Sequence, residues 1–205
     1  MMKHANFVWT FTKTMDSYFS NLFRPFLLTA TAILLIVSVS AQDNEEHVLR
    51  LNKGKVHFVS DAPLELIEAT STEIQAVLDT VTGKFAFAIP MRSFLGFNSE
   101  LQRTHFNENY LESAEYPRAT FVGKMIESWE SAGETPREVR AKGQLVIHGE
   151  SVERLIPAVI QKDGNRILVH AAFIVPVADH KIRIPRLVGQ KIASEINVEI
   201  DAWFE

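Results

Sequence analysis

The stretch 192–204, at the C-terminal end of the chain, alternates between two kinds of side chain. Ile192, Ser194, Ile196, Val198, Ile200, Ala202 and Phe204 fall on one side, and Ala193, Glu195, Asn197, Glu199, Asp201 and Trp203 on the other. A strand sends successive side chains to opposite faces, whereas a helix would scatter these apolar residues around its circumference. The segment therefore predicts a β-strand with one buried face, and a strand of that kind requires partners.

The same period of two recurs upstream. Phe85, Phe87, Ile89 and Met91 form one face, and Ala119, Phe121, Gly123 and Met125 another. Val139, Ala141, Gly143, Leu145 and Ile147 form a third, and Ile167, Val169, Ala171, Phe173 and Val175 a fourth. Shorter candidate strands are Leu49–Ser60, Ile74–Val81, Arg154–Gln161 and Lys181–Ile184. Turn residues separate the runs: Thr82-Gly83, then Gly149, then Lys162-Asp163-Gly164-Asn165, where Asp-Gly between alternating segments is a hairpin signature. Gly83 and Gly149 are expected where the backbone needs positive φ. Pro136, in the polar loop Glu127–Glu138, bars a continued ladder. One stretch departs from the pattern. In Asn98–Ser113, Ser99 and Gln102 resemble a capping box, and Leu101, Phe106, Tyr110 and Leu111 recur at roughly helical spacing. About eight strands with one helical insert near 98–113 predict an all-β domain, either a closed antiparallel barrel or a sandwich. Closure has the advantage of leaving no exposed edge.

The first 41 residues have a different composition. Lys3, Lys13 and Arg24 are basic, Asp16 is the one acid, and Phe26–Val37 is almost uninterrupted apolar sequence. Val39-Ser40-Ala41 then places small or compact residues where a signal peptidase reads. This is the pattern of a cleaved secretory signal, with Met15 as an alternative start. A membrane-spanning helix needs about 20 apolar residues. The run here is shorter, is interrupted by Thr29, Thr31, Ser38 and Ser40, and ends in Gln42-Asp43-Asn44-Glu45-Glu46. The expectation is a signal peptide at 1–41 and a domain at 42–205, periplasmic or secreted, with no stable membrane anchor after cleavage. The domain carries 18 basic and 24 acidic residues and has no basic stripe, which argues against nucleic acid as a partner. The chain has no cysteine, which excludes disulfides, thiolate catalysis, thiolate metal sites and a lipid-anchored N-terminal cysteine.

Three motifs resemble those of the YceI-like family. Asn107–Phe121, which contains Tyr116-Pro117-Arg118-Ala119-Thr120-Phe121, resembles the family's helix end followed by Tyr-Pro-x-x-x-Phe. Ala141–Gly149 resembles its Gly-x-Leu-x-Ile-His-Gly strand, and Thr82-Gly83-Lys84-Phe85 its Gly-x-Phe strand start. The resemblance covers most of residues 48–205. It implies an eight-stranded antiparallel lipocalin-like barrel, export, and a hydrophobic tunnel for a polyisoprenoid or similar lipid. Two regions match less well: Lys55–Leu66, where family members carry a Ser and a His-Gly pair, and Ile182–Arg186.

A lipid chain requires an apolar tube with few unpaired polar groups, and an eight-stranded barrel is wide enough for one small ligand. The candidate lining is Phe58, Phe85, Phe87, Ile89, Phe121, Leu145, Ile147 and Phe173. Phe94, Phe97, Leu101, Phe106 and Tyr110 are candidates to cap the tube. Each could instead simply fill a barrel core, and it is the family resemblance that favours ligand contact for the set. Arg92 and Arg103 flank the helix and are candidates for a lipid head group, with a solvated role as the simpler expectation. His105, Glu108 and Glu112 share a helical face that would serve a metal or acid–base chemistry, although one histidine is thin for a metal site. His148 is expected to fix a strand end by hydrogen bonding, and His57, His170 and His180 stand isolated. No nucleophile motif and no phosphate-cradling glycine loop is present. The expected function is a non-enzymatic carrier without a cofactor, with a homodimer possible. The rival is an envelope interaction module with a filled barrel.

Overall fold

In a computed structural model, described here for residues 47–128 and 133–205, nine strands form a single antiparallel sheet. They are β1 (Val48–Ala62), β2 (Glu65–Ser71), β3 (Gln75–Asp79), β4 (Lys84–Pro90), β5 (Arg118–Met125), β6 (Arg137–Ile147), β7 (Glu150–Asp163), β8 (Arg166–Pro176) and β9 (Glu195–Phe204). Neighbours in sequence are neighbours in the sheet from β3 to β9, and β9 returns to β1, from Leu51↔Phe204 to Val59↔Asn197. The sheet is thereby closed.

The nine strands amount to eight staves. β1 pairs with β2 at Val56↔Ser71 and with β3 at Arg50↔Val77, so moving back along β1 advances by the same number of residues from β2 into β3. The two short strands are one stave interrupted at Thr72–Ile74. The fold is a closed, eight-stranded, antiparallel, lipocalin-like barrel. The alternation at the C-terminus reads correctly: Ile196, Val198, Ile200, Ala202 and Phe204 turn inward along β9.

Two expected features differ. Lys181–Ile184 is not a strand. Its burial alternates, with Ile182 and Ile184 partly covered and Lys181 and Arg183 exposed, but it has no ladder partner because β9 already occupies the edge of β8. Alternation reports one covered face, and this segment has one without pairing. Conversely, β2 was not expected. Its inward face is polar at both ends, at Glu65 and Ser71, and Leu66 points outward and is 53% exposed, so only Ile67 and Ala69 keep the usual alternation.

Local chemistry explains the tight connections. Ile147↔Glu150 leaves a two-residue turn, His148-Gly149, with φ of 52° and 75°. Positive φ at both positions suits the right-handed twist of a hairpin, but only glycine accepts it freely. His148 is held there by its ring, whose Nδ1 meets the His180 carbonyl at 3.1 Å and whose Nε2 meets Glu112 at 2.6 Å. Gly123 and Gly143 face each other across β5 and β6, and a Cβ on either would overlap the neighbouring strand's carbonyl. The two strands approach so closely that only glycine fits.

The helical insert is a short α1 (Glu100–His105), followed by one π-helical turn, Phe106–Tyr110. Ser99 caps α1, its Oγ accepting from the Gln102 N–H at 3.2 Å, as the capping-box reading predicts. The leader read at 1–41 lies outside the described residues.

Candidate functional site: an apolar cavity with a polar mouth

The inward faces of the staves surround a cavity of about 590 Å³. This falls within the roughly 300–1,000 Å³ of ligand pockets. All thirteen residues predicted from the sequence line it. Phe58 comes from β1, Phe85, Phe87 and Ile89 from β4, Phe121 from β5, Leu145 and Ile147 from β6, and Phe173 from β8. Phe94 and Phe97 come from the segment after β4, and Leu101, Phe106 and Tyr110 from the helical insert.

At the end formed by the start of β1 and the finish of β9, the cavity floor is closed. Leu78, Phe85, Met125, Val139, Ile160 and Phe204 are packed there, and Phe204 is fully buried. Phe85 meets Phe121 at 5.1 Å between ring centroids, and Phe87 meets Phe204 edge-on at 5.9 Å. At the opposite end Phe58 stacks on Phe106 at 5.4 Å, while Phe94 and Phe97 meet Phe58 edge-on at 5.2 and 5.9 Å. These four rings form an aromatic plug under α1.

Polar side chains reach the cavity at the helix end: Ser60, Glu65, Ser99, Gln102 and His105, together with Lys191 from the connection between β8 and β9. Most have protein partners. Ser60 accepts the Ala193 N–H at 2.9 Å, and Gln102 bonds through its amide to the Glu65 carboxylate. The exposed lining residues are Ser99, Leu101, His105 and Lys191, so the mouth lies between α1 and the strap 181–192.

The sequence reading favoured rings and took only four branched aliphatics, Ile89, Leu101, Leu145 and Ile147. Val56, Ile67, Ile74, Ile156, Ile160 and Val198 line the wall as well. The signal was present in the alternation of the strands, and weighting the choice toward aromatic size discarded most of it. The strap's contribution, Ile182, Ile184, Val188 and Ile192, was masked by its reading as a strand.

The geometry sorts the polar candidates. Arg92 donates to Ser113 Oγ at 3.4 Å, and Arg103 donates to the Arg92 carbonyl and pairs with Glu100; neither lines the cavity. His105, Glu108 and Glu112 do not converge. His105 faces the mouth, Glu112 binds His148, and Glu108 is exposed. His148 does fix a strand end, as expected, but His180 is not idle. It is fully buried, its Nδ1 meets the Glu150 carbonyl at 3.2 Å, and its Nε2 has no partner. Burial pushes its pKa below the ordinary histidine value, against the opposing pull of the Glu150 carbonyl and Asp179. His170, Glu199 and Asp201 make the one His/acid group with metal-holding spacing among the described residues. They lie on the outside of the barrel, where His170 and Lys55 already contact Asp201 at 2.9 and 3.5 Å.

Comparison with known proteins follows the same line. The family model described as a YceI-like domain matches residues 50–204, nearly the whole barrel. The chain belongs to the YceI-like family. No curated protein is similar enough in sequence to count as a relative. Solved YceI-like structures share the fold at low identity. A polyisoprenoid-binding domain from Saccharophagus degradans, implicated in plant cell wall breakdown, superposes with a TM-score of 0.66 at 16% identity, over 77% of this chain and 97% of that one. BcnA of Burkholderia cenocepacia gives 0.62 at 17%, over 73% and 95%. The Campylobacter jejuni YceI protein gives 0.51 at 16%, over 88% and 91%.

Proposed function

We propose that this YceI-like protein is an exported, non-catalytic carrier that holds a polyisoprenoid or similar lipid in its barrel, with the thirteen predicted residues as its main contacts. The observation that carries the reading is the shape and chemistry of the cavity. It is deep, apolar along its length, closed at one end, and polar only at its mouth. Each methylene moved from water into such a space contributes about 0.8 kcal/mol. A chain of ten or so buried carbons can thus outweigh the several kcal/mol that association costs. A polar head would remain at the mouth, near Gln102, His105 and Lys191. The polyisoprenoid-binding domain among the structural neighbours supports this class of ligand. The leader, with its basic start and short apolar run, supports export. Uptake and release require the aromatic plug and α1 to move aside.

The rival reading, an interaction module with a filled barrel, is disfavoured by the volume of the cavity. Native mass spectrometry of protein purified from its own host, with organic extraction of what is bound, tests the proposal. A stoichiometric lipid is the expected result. A clean apo mass together with no uptake of added isoprenoids would overturn it.

A further inference from the structure

The strap between β8 and β9 differs in composition from the rest of the domain. Residues 181–191 contain Lys181, Arg183, Arg186 and Lys191 and no acid, in a domain whose acids outnumber its bases. Lys181 pairs with Glu150 at 2.7 Å. Arg183, Arg186 and Lys191 have no ion pair among the described residues, and all three are exposed. Beside them stands Leu187, which is 98% exposed. A single exposed leucine is unremarkable on a protein surface. This one has company: Leu64 and Leu101, 65% and 64% exposed, belong to the same rim. The β1–β2 turn that carries Leu64 is joined to the strap through the Leu64 N–H and the Gln190 carbonyl, at 2.9 Å. Leu101 lines the mouth from α1. On its inner side the strap supplies Ile182, Ile184 and Val188 to the cavity wall. One short segment therefore lines the cavity on one side, with Lys191 at the mouth, and on the other presents Arg183 and Arg186, neither in an ion pair, around exposed Leu187.

We propose that this strap and the leucines of the rim form a docking surface for an anionic lipid bilayer, which holds the cavity mouth against the membrane. Juxtaposed leucines and cations suit that surface. The leucines enter the boundary between head groups and acyl chains, and each cation gains from the negative surface potential. An acidic domain would otherwise be repelled by such a bilayer, so a local excess of positive charge in a segment without acids matters. The purpose of docking, transfer of a lipid, rests on the carrier reading above, but the contact itself is measurable without cargo.

The test uses the chain from Gln42 onward, which carries every strand of the closed barrel and omits the apolar leader. Sedimentation with vesicles of phosphatidylglycerol and phosphatidylcholine is compared with phosphatidylcholine alone, alongside native mass spectrometry of bound lipid. Binding to the anionic vesicles is expected, weakening with added salt. It should fall about tenfold or more in Leu187→Asp and in Arg183→Glu/Arg186→Glu, whose side chains lie outside the cavity lining. Thermal melting and bound lipid should be unchanged in both variants. Equal binding by wild type and variants, or no preference for anionic vesicles, would overturn the docking surface while leaving the carrier reading intact. A wild type that ignores vesicles but forms a dimer dissolved by Leu187→Asp would assign the rim to a second copy and overturn it too. Vesicle binding by a protein that never holds lipid would keep the surface and remove the carrier.

Discussion

The two ends of the barrel are built from the same residue types but held together differently. At the closed end, side chains from nearly every stave meet directly: Leu78, Phe85, Val139, Ile160 and Phe204 are all 5% exposed or less. At the helix end the covering element contributes no buried residue at all, in either α1 or the π-helical turn. Besides the half-buried Phe106 ring stacked on Phe58, the lid is held by a few polar contacts: Asn98 Nδ2 to the Leu66 carbonyl at 2.8 Å and Gln102 to Glu65. Apolar packing is strong but indifferent to small shifts. Hydrogen bonds at a solvated edge are weak individually, since water competes for each partner. A barrel that must stay closed at its floor and open at its mouth needs this asymmetry, because elements that move belong to the low-stability part of a structure.

Substitutions at matching rings should break the comparison most visibly. Phe204→Ala removes a fully buried ring from the closed end and should cost about 3–5 kcal/mol, measured by urea unfolding. Phe97→Ala removes a half-buried ring from the plug, and its stability cost should stay near 1 kcal/mol or below. Its effect should appear in exchange of a fluorescent isoprenoid, with release roughly tenfold faster, a difference of about 1.4 kcal/mol in retention. Equal losses of stability in the two variants would mean that the plug is core and not gate.

The same asymmetry explains what could be read from the sequence. At the closed end each strand's inward face is apolar, so β9 and the inward faces of β4 to β6 were legible from period alone. The Asp163-Gly164 turn and the two positive-φ glycines were legible because backbone geometry leaves few alternatives. At the helix end the pattern fails, because polar inward residues are satisfied from distant parts of the chain. Glu65 is met by Gln102, and Ser71 by the hydroxyl of Ser93. Those partners hid β2, since no local window contains them. The strap misled in the opposite sense: its alternation reflects the cavity wall on one side and water on the other, without a ladder. The arginines, for which a solvated role was the simpler expectation, are tied to Ser113 and to a backbone carbonyl, contacts that spacing does not encode. Closure into a barrel instead of a sandwich was carried by the family resemblance, since alternation is equally compatible with both.

Acid should act on the helix end before the closed end. His180 sits under the His148-Gly149 turn with its pKa lowered, chiefly by burial. The neutral ring is the one the fold accepts, while the unfolded chain takes up a proton more readily. Stability is therefore fully present above the ordinary histidine value of about 6.5 and declines as pH falls below it. The expected change is a progressive loss of stability as pH falls from about 7.5 to about 5. Urea midpoints across that range would measure it, and His180→Asn should flatten the dependence. Amide exchange should locate the first loosening at the β6–β7 turn and leave the Phe204 region protected. A uniform loosening of both ends would show that the histidine is coupled to the whole barrel.

The finest distinction concerns the lid's own anchorage. Ser99→Ala removes the oxygen that caps the Gln102 N–H, and caps of this kind contribute about 0.5–2 kcal/mol. Because α1 buries no side chain, little of that energy should reach the global transition, so the unfolding midpoint should barely move. The loss should appear locally, as faster amide exchange at Arg103–His105 and faster ligand release with unchanged secondary structure. If the midpoint falls by the full value of the cap, α1 unfolds together with the barrel. The lid would then be part of the same cooperative unit as the floor, and the division of labour between the two ends would be structural without being energetic.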